Sequence, residues 1–330
     1  MILRKYSSFI ITLAIFAVLL LIGLLRPTMW QPVALIMFYI AMGQAFNIFL
    51  GMTGYVNFGY VAFLAIGSYG MALGISRFYH TGIGLWLIPL GFTLAALMAG
   101  LLSVLVGGIA LRLRGAYFAI ATIGVNEGLK YLIEGAKFWG GSEGIIISKP
   151  MRVTFGRHLA NSLSTFWADI FLFAIAVLAA YLTFRFMHSR VGYALTAVRE
   201  DEDAAKVMGV NATKYKLIAF IVSSCVAGLI GATTWCLKST YVFPEDVFEV
   251  SYTVEAIVIV MLGGSGTLLG PIIGGLIYGI CKYWLAVLLP GLQLLILAPL
   301  IIVIIVAFPG GIVGVIREKT RGTAFDQVIV

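Results

Sequence analysis

The feature that most constrains this chain is the length of its apolar runs. A helix needs about 20 consecutive, mostly apolar residues to cross the hydrocarbon core of a bilayer. Stretches at 8–25, 31–50, 55–76, 85–111, 116–134, 168–187, 215–237, 253–268, 268–289 and 293–308 meet or approach that length. The stretch 85–111 exceeds the need, which implies tilt, and 253–268 is interrupted by glycines. Charged residues are 11% of the chain, less than half of the roughly 25% typical of soluble domains. Inside lipid a backbone must satisfy its own N–H and C=O groups, and a helix does so within one segment. The expectation is an all-α integral membrane protein, a polytopic helical bundle of about 8–10 transmembrane helices with Gly-broken segments.

Lysine and arginine placement sets the expected orientation. With a cytoplasmic N-terminus, the larger share of the 22 Lys and Arg residues falls on that side, including Arg4, Lys5, Arg112, Arg114 and those from Arg185 to Lys216. Cytoplasmic loops carry such an excess, so both termini and 188–214 read as cytoplasmic. The loop 135–167 is basic yet falls outside, where its length weakens the rule. The net charge of +8 has the same origin, and no basic stripe with interleaved aromatics calls for nucleic acid. The apolar run after Arg4 and Lys5 lacks a small-x-small cleavage pattern and reads as a retained first span. Cys225, Cys236 and Cys281 lie in or beside apolar segments, without metal or disulfide spacing. Trp30, Trp86, Trp139 and Trp235, near span ends, read as interface anchors.

A single transmembrane domain over 1–330 is expected, with an external loop at 135–167 and a cytoplasmic tail at 309–330. The loop 135–167 contains "WGGSEGIIISKP" and is expected to form an irregular external cap. A second external loop, Lys238 to Ser251, holds Glu245, Asp246 and Glu249. Such loops suit either contact with a soluble partner or plain solvated connection.

Two Gly-rich segments echo one another. "LGMTGYVNFGYVAFLAIGSY" at 50–69 aligns with "LGGSGTLLGPIIGGLIYGIC" at 262–281, pairing Gly51 with Gly263, Gly54 with Gly266 and Gly67 with Gly279. Paired Gly-interrupted segments in corresponding positions point to a transport site, because broken helices occur at membrane depth only where they line a protected cavity. Gly51, Thr53, Gly54, Asn57, Gly263, Gly264, Ser265 and Gly266, with Thr267, are candidates for a translocation pathway or for close packing. Gly270 and Gly274, and Gly275 and Gly279, have the small-xxx-small spacing of packed helices.

Glu127, Lys130 and Glu134 share one helix face, and Glu255 and Lys282 fall in or near apolar spans. Charges at such depth are functional candidates; an internal ion pair is the alternative, and Glu127 is carried as a candidate for the pathway or its gate. His80, His158 and His188 are dispersed, and no catalytic or metal-binding set is recoverable from spacing. No G-x-x-x-x-G-K followed by Ser or Thr occurs, so the chain has no P-loop to cradle ATP.

The most polar stretch is "GYALTAVREDEDAAKVMGVNATKYKLIAF", Gly192 to Phe220. Its charges cannot rest in hydrocarbon. Asp201 or Asp203 suits the first turn of a short helix, Ala204 and Ala205 are strong helix formers, Gly209 ends it, and Asn211 or Thr213 caps the next. Small alanines beside acidic residues, Glu200 among them, suit docking into a groove on another protein. A solvated amphipathic loop is the alternative.

"DAAKVMG", Asp203 to Gly209, resembles the EAA-loop pattern of ABC importer permeases. The wider string resembles the permeases of branched-chain amino acid importers, of the LivM type. So do "GMTGYVNFGYVAFLAIGSY", "RLRGAYFAIATIGVNEGLKYL", "WGGSEGI" and "MLGGSGTLLGPIIGG", in family order along most of the chain. The apolar-x-Leu-Pro element of the general EAA pattern is absent after Gly209. The resemblance implies a bacterial cytoplasmic-membrane permease without enzymatic activity or a cofactor of its own. Two separate ATP-binding subunits would hydrolyse ATP and dock on Glu200, Asp201, Asp203, Ala204, Ala205 and Gly209. A second homologous permease, an external solute-binding protein and membrane lipid complete the implied partners. A permease of the same family for urea or short amides, and an ATP-independent secondary transporter or channel, are the alternative readings.

Overall fold

The computed structural model describes residues 7–290 and 310–320, together with 292 and 299. The protein is an all-α polytopic membrane protein. Seven helical segments among the described residues are long and apolar enough to cross a membrane. The expected span at 116–134 does form a helix, Ala116–Gly135, but its polar residues lower its mean hydropathy and it is not among the seven. The expected span at 253–268 stops as a helix at Gly263, 13 residues long, because a non-helical stretch follows. The span expected at 293–308 lies outside the described residues, apart from 299.

The described chain forms two compact units, and the helices Ala168–Met187, Glu202–Val207 and Ser251–Gly263 contribute to both. One unit comprises the chain up to Gly54, Ala176–Ala204, and the chain from Glu255. It holds α1 (Ser7–Leu25) and α2 (Trp30–Thr53). Helix α2 is buried along nearly its whole length. It packs on a later helix, Gly270–Leu288, through glycine: Cβ atoms added at Gly275 and Gly279 would sit 2.8 and 3.0 Å from the Cα atoms of Ile40 and Ile36. Gly274 lies against the Ile259 carbonyl and Gly270 against that of Gly264. Gly274, Gly275 and Gly279 therefore permit close helix packing, while Gly270 makes room for the turn that precedes its own helix. Glu255 and Lys282 form an ion pair, with the Lys282 ammonium 5.2 Å from the Tyr39 ring centroid.

The other unit comprises Tyr55–Ile175 and Ala205–Val254. Its core helix is α3 (Tyr60–Phe78), packed between α4 (Leu87–Ala110) and a later helix, Ala212–Gly231. Gly67 meets the Gly228 backbone directly, and Gly231 lies on the Leu64 carbonyl. Helix α5 (Ala116–Gly135) brings Phe118 to Phe220, which also stacks edge-on against Phe63. The region 135–167 is more regular than expected. The strand β1 (Ile145–Ile146) pairs antiparallel with β2 (Tyr241–Val242), and α6 (Ser148–Ser162) continues through a π-helical turn into α7 (Ala168–Met187). Buried Asp169 accepts from Lys238 Nζ at 2.6 Å. Trp235, expected at an interface, is buried against Tyr252, with ring centroids 5.1 Å apart.

The polar stretch folds as α8 (Arg190–Glu200) and α9 (Glu202–Val207), then α10 (Ala212–Gly231). A single turn, α11 (Pro244–Val247), precedes α12 (Ser251–Gly263), α13 (Gly270–Leu288) and α14 (Gly311–Thr320).

Candidate functional site

Two helix breaks meet within the first unit. The first is the end of α2, where Gly54 adopts φ 74° and its N–H donates to Leu50 O at 2.8 Å. The second is 264–269, between α12 and α13, with Gly266 at φ 78°. Gly54 and Gly266, paired by the internal echo, thus share the left-handed backbone that glycine adopts at least cost.

The freed backbone groups of the second break are met by α2. Asn47 Oδ1 accepts from Gly266 N at 2.9 Å, and Asn47 Nδ2 donates to Thr267 O at 2.9 Å. Gln44 Nε2 donates to Leu268 O at 2.7 Å. Thr267 Oγ1 donates to Gly264 O at 2.9 Å and accepts from Gly270 N at 3.0 Å, which caps α13. Gln44 and Asn47 are both fully buried. With Gly51 they lie at spacings of three and four, on one face of α2. A side chain at Gly51 would collide with Asn47 and Gly266 N. The close approach therefore needs glycine at the first break as well as a bend at the second.

A cation joins the two breaks. Arg199, in the last turn of α8, donates from Nη1 to Gly51 O at 2.6 Å and from Nη2 to Ser265 Oγ at 3.3 Å. Gly51 O is among the terminal carbonyls of α2, where the helix dipole favours positive charge.

The remaining candidates are local. Thr53 Oγ1 donates to Phe49 O at 2.7 Å within α2. Asn57, in the second unit, turns back to accept from Gly59 N at 3.0 Å. Glu127 accepts from Asn126 Nδ2 at 3.3 Å, and Lys130 stands 4.0 Å from Glu134. Gly263 sits against Gly270 O.

In the polar stretch, Asp201 Oδ1 accepts from Asp203 N and Ala204 N, both at 2.9 Å, and so caps α9. Gly209, at φ 86°, follows it. Asn211 caps α10 by accepting from Lys214 N at 3.1 Å. Glu200, Asp203 and Ala204 are exposed, whereas Ala205 is turned inward and buried. The tip beyond it is apolar: Val207 and Met208 are 85% and 84% exposed.

Sequence reasoning missed Gln44, Asn47, Arg199, Val207 and Met208. Gln44 and Asn47 were detectable as polar side chains three apart within an apolar span, leading to Gly51. Arg199 was hidden among the charges of its own stretch.

Residues 29–306 match the model of the family described as branched-chain amino acid transport system / permease component. The chain belongs to that family. The match takes in both helix breaks, Arg199 and the whole polar stretch. Among relatives, the high-affinity branched-chain amino acid transport system permease protein LivM of Escherichia coli (strain K12) is 32% identical over 285 residues, 80% of this chain and 64% of the relative. LivM of Salmonella typhimurium (strain LT2) is 34% identical over 253 residues, 70% of this chain and 57% of the relative. Against these two, the chain spans less than two thirds of the relative's length. The permease protein LivH of E. coli K12 is 25% identical over 261 residues, 77% of this chain and 83% of the relative. No solved structure matches the chain.

Proposed function

We propose that this protein is the membrane permease subunit of an ATP-driven ABC importer for branched-chain or other small amino acids. It works in the bacterial cytoplasmic membrane with both termini cytoplasmic. The observation that carries the reading is the capped helix α9 with its exposed Val207–Met208 tip. Two large apolar side chains at the end of a charged segment gain little from water and much from an apolar groove. The occupant of that groove is the ATP-binding subunit, because family membership supports an ABC permease and this chain has no P-loop. Glu200 and Asp203 supply the polar rim, Asp201 caps the docking helix, and Gly209 turns the chain back towards α10.

Two such ATPases hydrolyse ATP, and closure between them drives this chain and a second, homologous permease between inward- and outward-open states. The relatives in E. coli K12 include two permease proteins, LivM and LivH, each of a high-affinity branched-chain amino acid transport system, which supports a heterodimer. An external solute-binding protein delivers the cargo. The broken helices at Gly51–Gly54 and Gly263–Gly266 form the moving part beside the solute path.

Co-purification from the native host tests this directly. A tagged chain is expected to bring down an ATPase and a second permease. Gly209→Arg, which forces a side chain into left-handed backbone beside the tip, is expected to lose the ATPase while keeping membrane insertion. Full retention of the ATPase with normal transport would remove the docking assignment. A carboxylate-coupled carrier makes a different prediction at Glu127. Here Glu127→Gln is expected to impair uptake only moderately, as measured with radiolabelled leucine in cells.

A further inference from the structure

Arg199 hydrogen-bonds from the polar stretch to both helix breaks. We infer that it is the positioning residue that transmits movement of the ATPase-docking segment to the gate. The inference rests on the importer reading above and assigns the coupling to one side chain.

The geometry is specific to arginine. Its planar fork offers two N–H directions at once, and one reaches Gly51 O while the other reaches Ser265 Oγ. The bond to Gly51 O is charge-assisted and, at 2.6 Å, short. Space for the fork is cleared by glycine. A Cβ at Gly266 would stand 2.5 Å from Arg199 Nη1, and one at Gly54 would stand 3.4 Å from Arg199 Cγ. Both are the left-handed glycines at which the two helices break. The guanidinium therefore lies between the last turn of α2 and the 264–269 break.

The covalent path on the other side is short. Arg199 is two residues before Asp201, the cap of α9, and α8 itself lies against α2. Displacing α9 pulls on the end of α8, and the end of α8 is hydrogen-bonded to both breaks. A salt bridge to bulk charge elsewhere would not deliver force to those two points.

The experiment uses the complete complex in proteoliposomes containing the solute-binding protein, with ATP hydrolysis and leucine uptake measured together. Arg199→Gln is expected to keep the ATPase bound and hydrolysing, yet to raise ATP consumed per leucine imported by about 5-fold or more, the span of a typical coupling free energy. Arg199→Lys, which keeps the charge and loses the fork, is expected to fall between. An unchanged ratio in Arg199→Gln overturns the inference. So does loss of the ATPase in step with loss of uptake, which would make Arg199 a docking residue. If Arg199→Gln does not assemble, Ser265→Ala is read instead: a raised ratio supports the tie and a wild-type ratio overturns it. A wild-type complex that imports without ATP would remove the importer reading itself, and is distinguishable because no variant is needed to see it.

Discussion

Asn47 answers, with one donor and one acceptor, the two backbone groups freed where helix stops in the second half of the chain. Both bonds are 2.9 Å and the side chain is fully buried. Each buried polar group left without a partner costs about 1–3 kcal/mol. Asn47→Ala is therefore expected to lower the thermal unfolding midpoint in detergent clearly more than Asn57→Ala, whose amide closes a local turn. Equal shifts would mean that the break does not depend on Asn47. The Glu255–Lys282 pair supplies a second residue-scale test. Glu255 is buried and Lys282 partly so; removing one member leaves the other charge uncompensated, while replacing both removes that penalty. Glu255→Gln alone is expected to destabilise more than Glu255→Gln combined with Lys282→Met. The reverse order, in the same melts, would give the pair a role other than mutual compensation.

Among elements, α3 depends on glycine to approach α10. Gly67 touches the Gly228 backbone, and a Cβ at Gly228 would lie 2.7 Å from Ala99 Cβ. Overpacking a tight contact costs about 1–3 kcal/mol, and more where backbone must move. Gly67→Val is expected to cut the yield of monodisperse protein in size-exclusion chromatography. Gly108→Ala on α4, where a Cβ meets nothing within 4 Å, is expected to leave it unchanged. Much at this scale was readable from sequence. Apolar length marks most of the helices, the cap candidates Asp201 or Asp203 and Asn211 or Thr213 include the two that form, Asp201 and Asn211, and Gly-x-x-x-Gly spacing announces the packing of α13. The helix in 135–167 was not readable, since α6 is polar and takes its place through the β1–β2 pairing and the continuous π turn into α7. The site was half legible. Its glycines stand out as a repeated pattern, but their polar partners on α2 and α8 lie far away in sequence, and only the folded backbone brings Asn47 and Arg199 to Gly266.

At the scale of the whole molecule, transport in the proposed reading is a property of an assembly. In that reading this chain contributes two helix breaks, a docking tip and the tie between them. Its sequence holds no G-x-x-x-x-G-K followed by Ser or Thr, and the proposed reading assigns ATP hydrolysis to separate subunits. The most direct measurement is leucine uptake into proteoliposomes holding the purified complex, with and without ATP, with the ATPase-free chain as comparison. Uptake that requires both ATP and the ATPase subunits, and that is lost in Gly209→Arg, is the predicted result. Uptake by this chain alone, without ATP, would contradict it.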